Sequence, residues 1–337
     1  MLGKASADAY SGQLAKEHQV GLEETYGRPA LSDCFFYHTM QFGPADIQPG
    51  AWDLRGEERK YLGYLDFKGL RVLEFGPATG YLGFWMETQG AEVVCLELPP
   101  GLAQDLLPLP EADLADHRAA GVAFAEKIRN SWWYSRGKLG SRNLAVYADI
   151  YDLPHDVGRF DISTFGSILL HLENPYRALA QAAALTDTAI IVTDMVQNSS
   201  LDLRSHRMDF NPGDQPGNVV NWWSVSPGAV VRMLTVLGFP QHSVYFHTQK
   251  HHAHHDLTAP PVDVELFTVV GSRKDKQISH APRPAEDIEE ENRVIRIWES
   301  NDPVVRLETE LRELRNSTCW RATQPIRWFL DLIRKDS

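Results

Sequence analysis

Two carboxylates set about a glycine-rich turn are where this 337-residue chain can do chemistry. Glu74 lies in the apolar run Val72-Leu73-Glu74-Phe75, which leads into Gly76-Pro77-Ala78-Thr79-Gly80, and Glu97 closes the next such run, Glu92 to Glu97. Gly76 and Gly80 lack a Cβ, so a ligand can lie against the main chain there, and the free amides of a following helix favour a polar or anionic group. A dinucleotide fingerprint requires a second glycine two residues after the first, and that position is Ala78, which weakens a pyrophosphate reading.

The elements that must position these groups follow the pattern of an α/β domain. A strand over Arg71–Phe75 enters the turn, a helix through Phe84, Trp85 and Met86 stops at Gly90, and a second strand ends on Glu97. Helical patterning over Ala119–Ser131 ends at Trp132-Trp133-Tyr134, rings too close in sequence to share one face, so one is expected at the surface. A third strand, Asn143–Ala148, leads to Asp149-Ile150, and a fourth, Arg159–Phe165, to Gly166-Ser167 and His171. Asn174-Pro175 and Ser226-Pro227 each read as an N-cap followed by proline at the first helical position, and Gly238 closes the second of these helices. A fifth strand spans Thr188–Thr193, and a sixth and seventh, His242–Thr248 and Val262–Val270, follow in tandem. The polar loop from Gln197 to Asn221 is too long for an ordinary connection and carries Arg204, His206, Arg207, Asp209 and Asn211.

The Glu74 to Gly80 segment resembles motif I of the class I S-adenosylmethionine-dependent methyltransferases. The resemblance implies Glu74 near the cofactor's ammonium group, Gly76, Pro77 and Gly80 against its methionine moiety, and Glu97 on its ribose; two acids suit a cationic sulfonium ligand. By the same resemblance Asp149 lies beside the adenine amino group with Ile150 against the ring, while Asp149 could equally cap a short turn. The stretch from Arg159 to Pro175 resembles motif IV, with the Leu-His-Leu-x-x-Pro tail of the branch that holds wobble-uridine carboxymethyltransferases and glycan-cluster methyltransferases. There Gly166 lets the acceptor approach the sulfonium, and His171 reads either as a general base or as a capping or packing histidine.

The implied architecture is a Rossmann-like class I methyltransferase with a seven-stranded mixed sheet and helices on both faces. A cap segment (1–66), the methyltransferase domain (67–273), an acidic linker (274–302) and an amphipathic helical tail (303–337) follow one another. The cap is rich in rings, most of which are expected to seal the sheet's flank; His38 and Arg55, with Arg207 and Trp222 further on, are expected to contact the acceptor. The tail's Ser317 to Arg327 resembles a motif on bacterial glycosyltransferases and glycan-modifying methyltransferases. Val304, Leu307, Leu311 and Leu314 repeat at helical spacing, and the basic, aromatic end at Trp328-Phe329-Leu330 reads as a membrane-surface helix or one docked on its own domain or a second subunit.

Composition narrows the function. A net charge of -12 speaks against broad phosphate-driven nucleic-acid binding. Cys34, Cys95 and Cys319 form no paired motif, and His251 to His255 lack the carboxylates or cysteines that complete a metal site, so no metal is assigned. No transmembrane run and no signal-like segment is present, and a cytoplasmic, in part membrane-peripheral location is expected. The expected activity is methyl transfer to a small-molecule or glycan acceptor, a sugar hydroxyl in surface polysaccharide biosynthesis. A tRNA wobble-uridine modifying transferase and a non-catalytic cofactor-binding scaffold are the alternatives.

Overall fold

The β-branched and aliphatic runs form strands β1 (Met40–Gly43), β2 (Asp46–Gln48), β3 (Trp52–Asp53), β4 (Arg71–Phe75), β5 (Glu92–Glu97), β6 (Leu144–Tyr147), β7 (Phe160–Gly166), β8 (Thr186–Met195), β9 (Met208–Phe210), β10 (Trp223–Val225), β11 (Gln241–His251) and β12 (Val262–Ser272). Helices α1 (Glu58–Tyr61), α2 (Tyr81–Thr88), α3 (Glu111–Leu139), α4 (Pro175–Leu185), α5 (Pro227–Val236) and α6 (Ala285–Asn301) lie between and after them. The structure is a computed structural model and describes residues 19, 21–108, 111–154, 157–196, 206–211, 219–252, 256–301 and 307. Arg204 and the tail segments Ser317 to Arg327 and Trp328 to Leu330 lie outside the described residues.

One sheet runs in the order β3-β11-β12-β8-β7-β4-β5-β6. Strands β4 to β8 are parallel, and β12 enters antiparallel between β8 and β11. With β3 set aside, this is the Rossmann-like class I methyltransferase sheet, its last strand inserted antiparallel. The expected count of seven strands is one short, because the cap contributes an edge: Asp53 pairs with Lys250 and Trp52 with His251. His251 is therefore strand, not hairpin loop.

Alternation along β4 sends Val72 into one apolar layer and Leu73 and Phe75 into the other, which leaves Glu74 on the side of Val72. That layer is filled by the cap, α2 and α3. Both Trp132 and Trp133 are buried and Tyr134 half-buried, contrary to the expectation of an exposed ring, because cap residues Phe36 and Phe42 cover the outer face of α3 and pack on Tyr134.

The two helix starts form as their sequences require. Asn174 Oδ1 accepts from the Arg177 N–H at 3.0 Å, and Ser226 Oγ from the Ala229 N–H at 3.1 Å. Ser226 is fully buried and also accepts from the Arg207 N–H at 3.2 Å, so it joins β9 to α5. Ser226→Ala is expected to lower unfolding free energy by about 2 kcal/mol, since the buried Ala229 N–H and the part-buried Arg207 N–H lose their acceptor; urea denaturation measures it.

The segment 274–302, read as an acidic linker passing into a helix, carries α6 over Ala285–Asn301, and acids of that helix are engaged. Lys60 of α1 binds Glu290 at 2.5 Å and Asp287 at 3.2 Å, and Asp287 also accepts from the Tyr64 hydroxyl. Glu290 Oε1 accepts from the Thr248 N–H at 3.0 Å and Glu291 Oε1 from the Phe246 N–H at 3.2 Å, so carboxylates meet the outward-facing backbone of β11. Among the described residues no helix is long and apolar enough to cross a membrane.

Candidate functional site

The turn after β4 holds three residues with positive φ, Gly76 at 64°, Ala78 at 49° and Gly80 at 85°. Such a run folds the chain back tightly. Gly76 N–H donates to Leu96 O at 2.9 Å, fastening the turn to β5, and Gly80 is the N-cap of α2. The glycines are sterically required: a Cβ on Gly76 would sit 2.8 Å from Ile168, and one on Gly80 would sit 2.5 Å from Phe84 and 2.6 Å from Trp132.

Glu74 is 5% exposed. Its carboxylate accepts from the Gly83 N–H of α2 and the Cys95 thiol, whose sulfur lies at 3.3 Å; no ion-pair partner for it exists among the described residues. A Cβ on Gly83 would come within 2.3 Å of Glu74 Oε2, so the helix has a gap shaped for the acid. Burial pushes the Glu74 carboxyl up to about 7, and the nearby Glu97 charge adds to the effect. Glu97 accepts from Leu98 N–H at 2.8 Å and from the strained Ala78 N–H; burial raises its pKa, and Arg129 offsets part of that. Two carboxylates thus flank one turn, the inner one without a cation.

A small, partly open cavity at the C-terminal edge of the sheet brings together Glu74, Gly76, Pro77 and Gly166 with His38 and Tyr61 of the cap. His38 is tied to the turn: its backbone N–H donates to Thr79 Oγ1 at 3.1 Å, and its Nδ1 lies 3.1 Å from the same oxygen. Burial depresses the His38 imidazole to about 3, so it is neutral. The Tyr61 hydroxyl lies 3.1 Å from Ser167 Oγ, over the open face of Gly166. No Lys or Arg lines this cavity.

His171 lies in the 3-10 turn Leu169–His171 after β7 and does not line that cavity. Its Nδ1 is 2.9 Å from the Val220 carbonyl, an arrangement that puts the ring proton on Nδ1 and leaves Nε2 as the basic nitrogen. Burial lowers its pKa, with the Val220 hydrogen bond acting against it. Trp222 stands beside this turn: its N–H donates to Leu170 O at 2.8 Å and its Nε1–H to Asp105 O at 3.3 Å. Arg207 is brought near through β9, which pairs with β10. Arg55 stands apart at the sheet edge, its guanidinium held by both oxygens of Asp53 at 2.8 and 2.7 Å. Asp149 Oδ1 accepts from Tyr151 N–H at 2.8 Å, the short-turn arrangement, while the half-buried Ile150 packs on the layer of Leu96 and Ala148.

Tyr61, Thr79 and Asp194 are not among the residues the sequence singles out. Tyr61 stood among many aromatics, and Thr79 was one member of a turn. Asp194 carried a usable signal, an acid directly after the apolar run of β8. Among the described residues no cluster of His, Cys, Asp and Glu could hold a metal ion.

No protein-family model matches the chain, and no curated protein does. Among solved structures, the N-terminal domain of EvdMO1 with SAH bound is similar at 19% identity and a TM-score of 0.37, over 65% of this chain and 80% of that one. Magnesium protoporphyrin IX methyltransferase from Synechocystis PCC 6803 with bound SAH is similar at 14% identity and a TM-score of 0.39, over 62% and 76%. The 1,6-didemethyltoxoflavin-N1-methyltransferase of Burkholderia thailandensis with bound 1,6-didemethyltoxoflavin and S-adenosylhomocysteine is similar at 15% identity and a TM-score of 0.38, over 65% and 79%. The strand order carries the fold without them.

Proposed function

We propose that the chain is an S-adenosylmethionine-dependent methyltransferase whose acceptor is a neutral small molecule or glycan, best a sugar hydroxyl. The observation that carries this reading is the buried, cation-free Glu74 beside a turn that admits a ligand to its backbone. An uncompensated buried carboxylate is costly, and an arriving cation relieves that cost. The residues present fit the cofactor: Glu74 would hold the ammonium group, Gly76 to Gly80 the methionine backbone, Glu97 the ribose hydroxyls, and the free oxygen of Asp149 the adenine amino group. When bound, S-adenosylmethionine supplies an electrophilic methyl group.

The chain's own work is then placement and proton handling. The cap residues His38 and Tyr61 exclude water over Glu74, which strengthens every polar interaction within. Nε2 of a neutral His171 is available to accept a hydroxyl proton, and holding the acceptor in a near-attack arrangement supplies the larger share of the rate. The wobble-uridine alternative gains no support, since the cavity wall presents no cation to a polyanion.

Isothermal titration with S-adenosylmethionine, S-adenosylhomocysteine and NADH tests the reading. Both sulfur ligands are expected to bind and NADH not. Glu97→Ala is expected to weaken them by about tenfold or more, the worth of a lost charge-assisted hydrogen bond. Binding of NADH without the sulfur ligands would overturn it in favour of a dinucleotide enzyme, and binding of the sulfur ligands with no methyl transfer to any acceptor would leave the scaffold.

A further inference from the structure

Asp194 lies at the C-terminal tip of β8, one residue beyond the cavity-lining Thr193, and is 1% exposed. Its Oδ1 accepts from the Met195 N–H at 2.8 Å, and the Leu170 N–H donates to the same carboxylate. Its Oδ2 is buried with no partner among the described residues. Nine in ten or more buried polar groups are satisfied, so a lone carboxylate oxygen this deep is an acceptor whose donor comes from elsewhere.

What surrounds it points to the donor. Leu170 directly precedes His171. The phenols of Tyr37 and Tyr61 lie within reach of its charge: burial raises the pKa of both, and Asp194 raises them further. Tyr61 is held in place from below: Thr193 Oγ1 donates to its carbonyl at 2.6 Å and lies 2.8 Å from Thr268 Oγ1, itself 3.0 Å from His247 Nε2. Asp194 therefore stands at a strand end whose neighbour Thr193 meets both the cap, through Tyr61, and the Ser167 turn, whose N–H donates to Thr193 O at 2.7 Å, while Leu170 ties it to the His171 turn. The nearest cations of the cap are already engaged, Lys60 by Glu57, Asp287 and Glu290 and Arg55 by Asp53.

We propose that Asp194 is an acceptor-binding residue: its Oδ2 receives a hydrogen bond from a hydroxyl of the molecule to be methylated, and its charge selects uncharged polyols against acceptors bearing phosphate or carboxylate at that position. This rests on the methyltransferase reading above. A neutral sugar supplies the missing donor and finds complementary hydroxyls in Tyr61 and Ser167. An anionic acceptor meets a like charge where, among the described residues, no cation lines the cavity, and like charges at close range disfavour one another strongly when water is excluded.

The test is ligand-observed NMR on the full chain at pH 8, saturated with S-adenosylhomocysteine, with a panel of methyl pyranosides, the matching uronates and sugar phosphates as probes. At least one neutral pyranoside is expected to bind, with its uronate and phosphate tenfold or more weaker. Asp194→Asn, which keeps the shape and the Oδ1 contacts, is expected to weaken the neutral sugar about tenfold and to strengthen the uronate, while affinity for S-adenosylhomocysteine is unchanged. Tyr61→Phe, which keeps the ring over Glu74, is expected to weaken the neutral sugar without strengthening the uronate. A gain for the anion is a result that mere structural damage does not give. Equal binding of neutral and anionic probes, no pyranoside binding, or an Asp194→Asn variant identical to the parent would overturn the proposal. Failure of the parent chain to bind S-adenosylhomocysteine at all would instead overturn the methyltransferase reading, and this inference with it.

Discussion

Glu74→Gln is expected to weaken binding of S-adenosylmethionine by about a hundredfold, close to 3 kcal/mol, while making the ligand-free protein more stable at pH 8. The two effects have one origin. The carboxylate is buried against Gly83 and Cys95 with no cation, so in the ligand-free fold its charge is a liability and its pKa rises from the ordinary 4.5 to about 7. A folded-state pKa above the unfolded one means that the native state holds its proton longer. Stability is therefore lost as pH climbs from about 4.5 through 7, and is lower at pH 8 than at pH 5. The amide removes that penalty and with it the charge that meets the ammonium group, a charge-assisted contact of the strongest kind. Affinity in the parent should rise about tenfold between pH 6 and pH 8, as Glu74 becomes ionised, and Glu74→Gln should flatten the Glu74 part of that rise. Titration calorimetry and thermal unfolding at the two pH values measure both; a variant that loses affinity and stability together would point to simple misfolding.

At Gly80 the expected effect is on the fold itself. Its φ of 85° is left-handed, and a Cβ there would meet Phe84 and Trp132 at 2.5 and 2.6 Å. An alanine carries a left-handed penalty of about 1 kcal/mol, and overpacking two fixed rings adds about 1–3 kcal/mol. Gly80→Ala should therefore lose about 2–4 kcal/mol in chemical denaturation, a large share of a typical domain's stability. Gly56, also at positive φ but with open space around its missing Cβ, is the control: Gly56→Ala should show the backbone penalty alone.

Much of this was legible in the chain. Strand runs, both proline-started helices and the order of the last two strands depend on local periodicity and capping, which short windows of sequence encode, and β4, β5 and β12 appear where their patterns put them. The acids of the turn were legible because Glu74 interrupts an apolar run where nothing local rewards a charge. What was not legible depends on distant partners. The role of Glu290 and Glu291 could not be read because their partners, the N–H groups of Thr248 and Phe246, lie some forty residues away in sequence and form no pattern with them. Trp132 and Trp133 are both buried because the cap folds over α3, a long-range event that helical periodicity does not register. Tyr61 over Gly166 and the unpaired oxygen of Asp194 are likewise products of tertiary approach.

The carboxylates of α6 have a consequence for how this protein behaves in a crowded solution. An eleven-residue strand at the rim of a sheet, paired on its outer side among the described residues only at Lys250 and His251, is a ready template for another chain's strand. Glu290 and Glu291 occupy the outward N–H groups with acceptors that cannot propagate a ladder. Burial works to raise the Glu290 pKa, but hydrogen bonds from Lys60 and Thr248 prevail and hold it below its ordinary value. A depressed carboxylate keeps its grip above the unfolded pKa and releases it only as pH falls through the folded one. The run of acids that reads as a linker thus shields the rim of the sheet, because Glu290 and Glu291 hold N–H groups that an intermolecular strand would need.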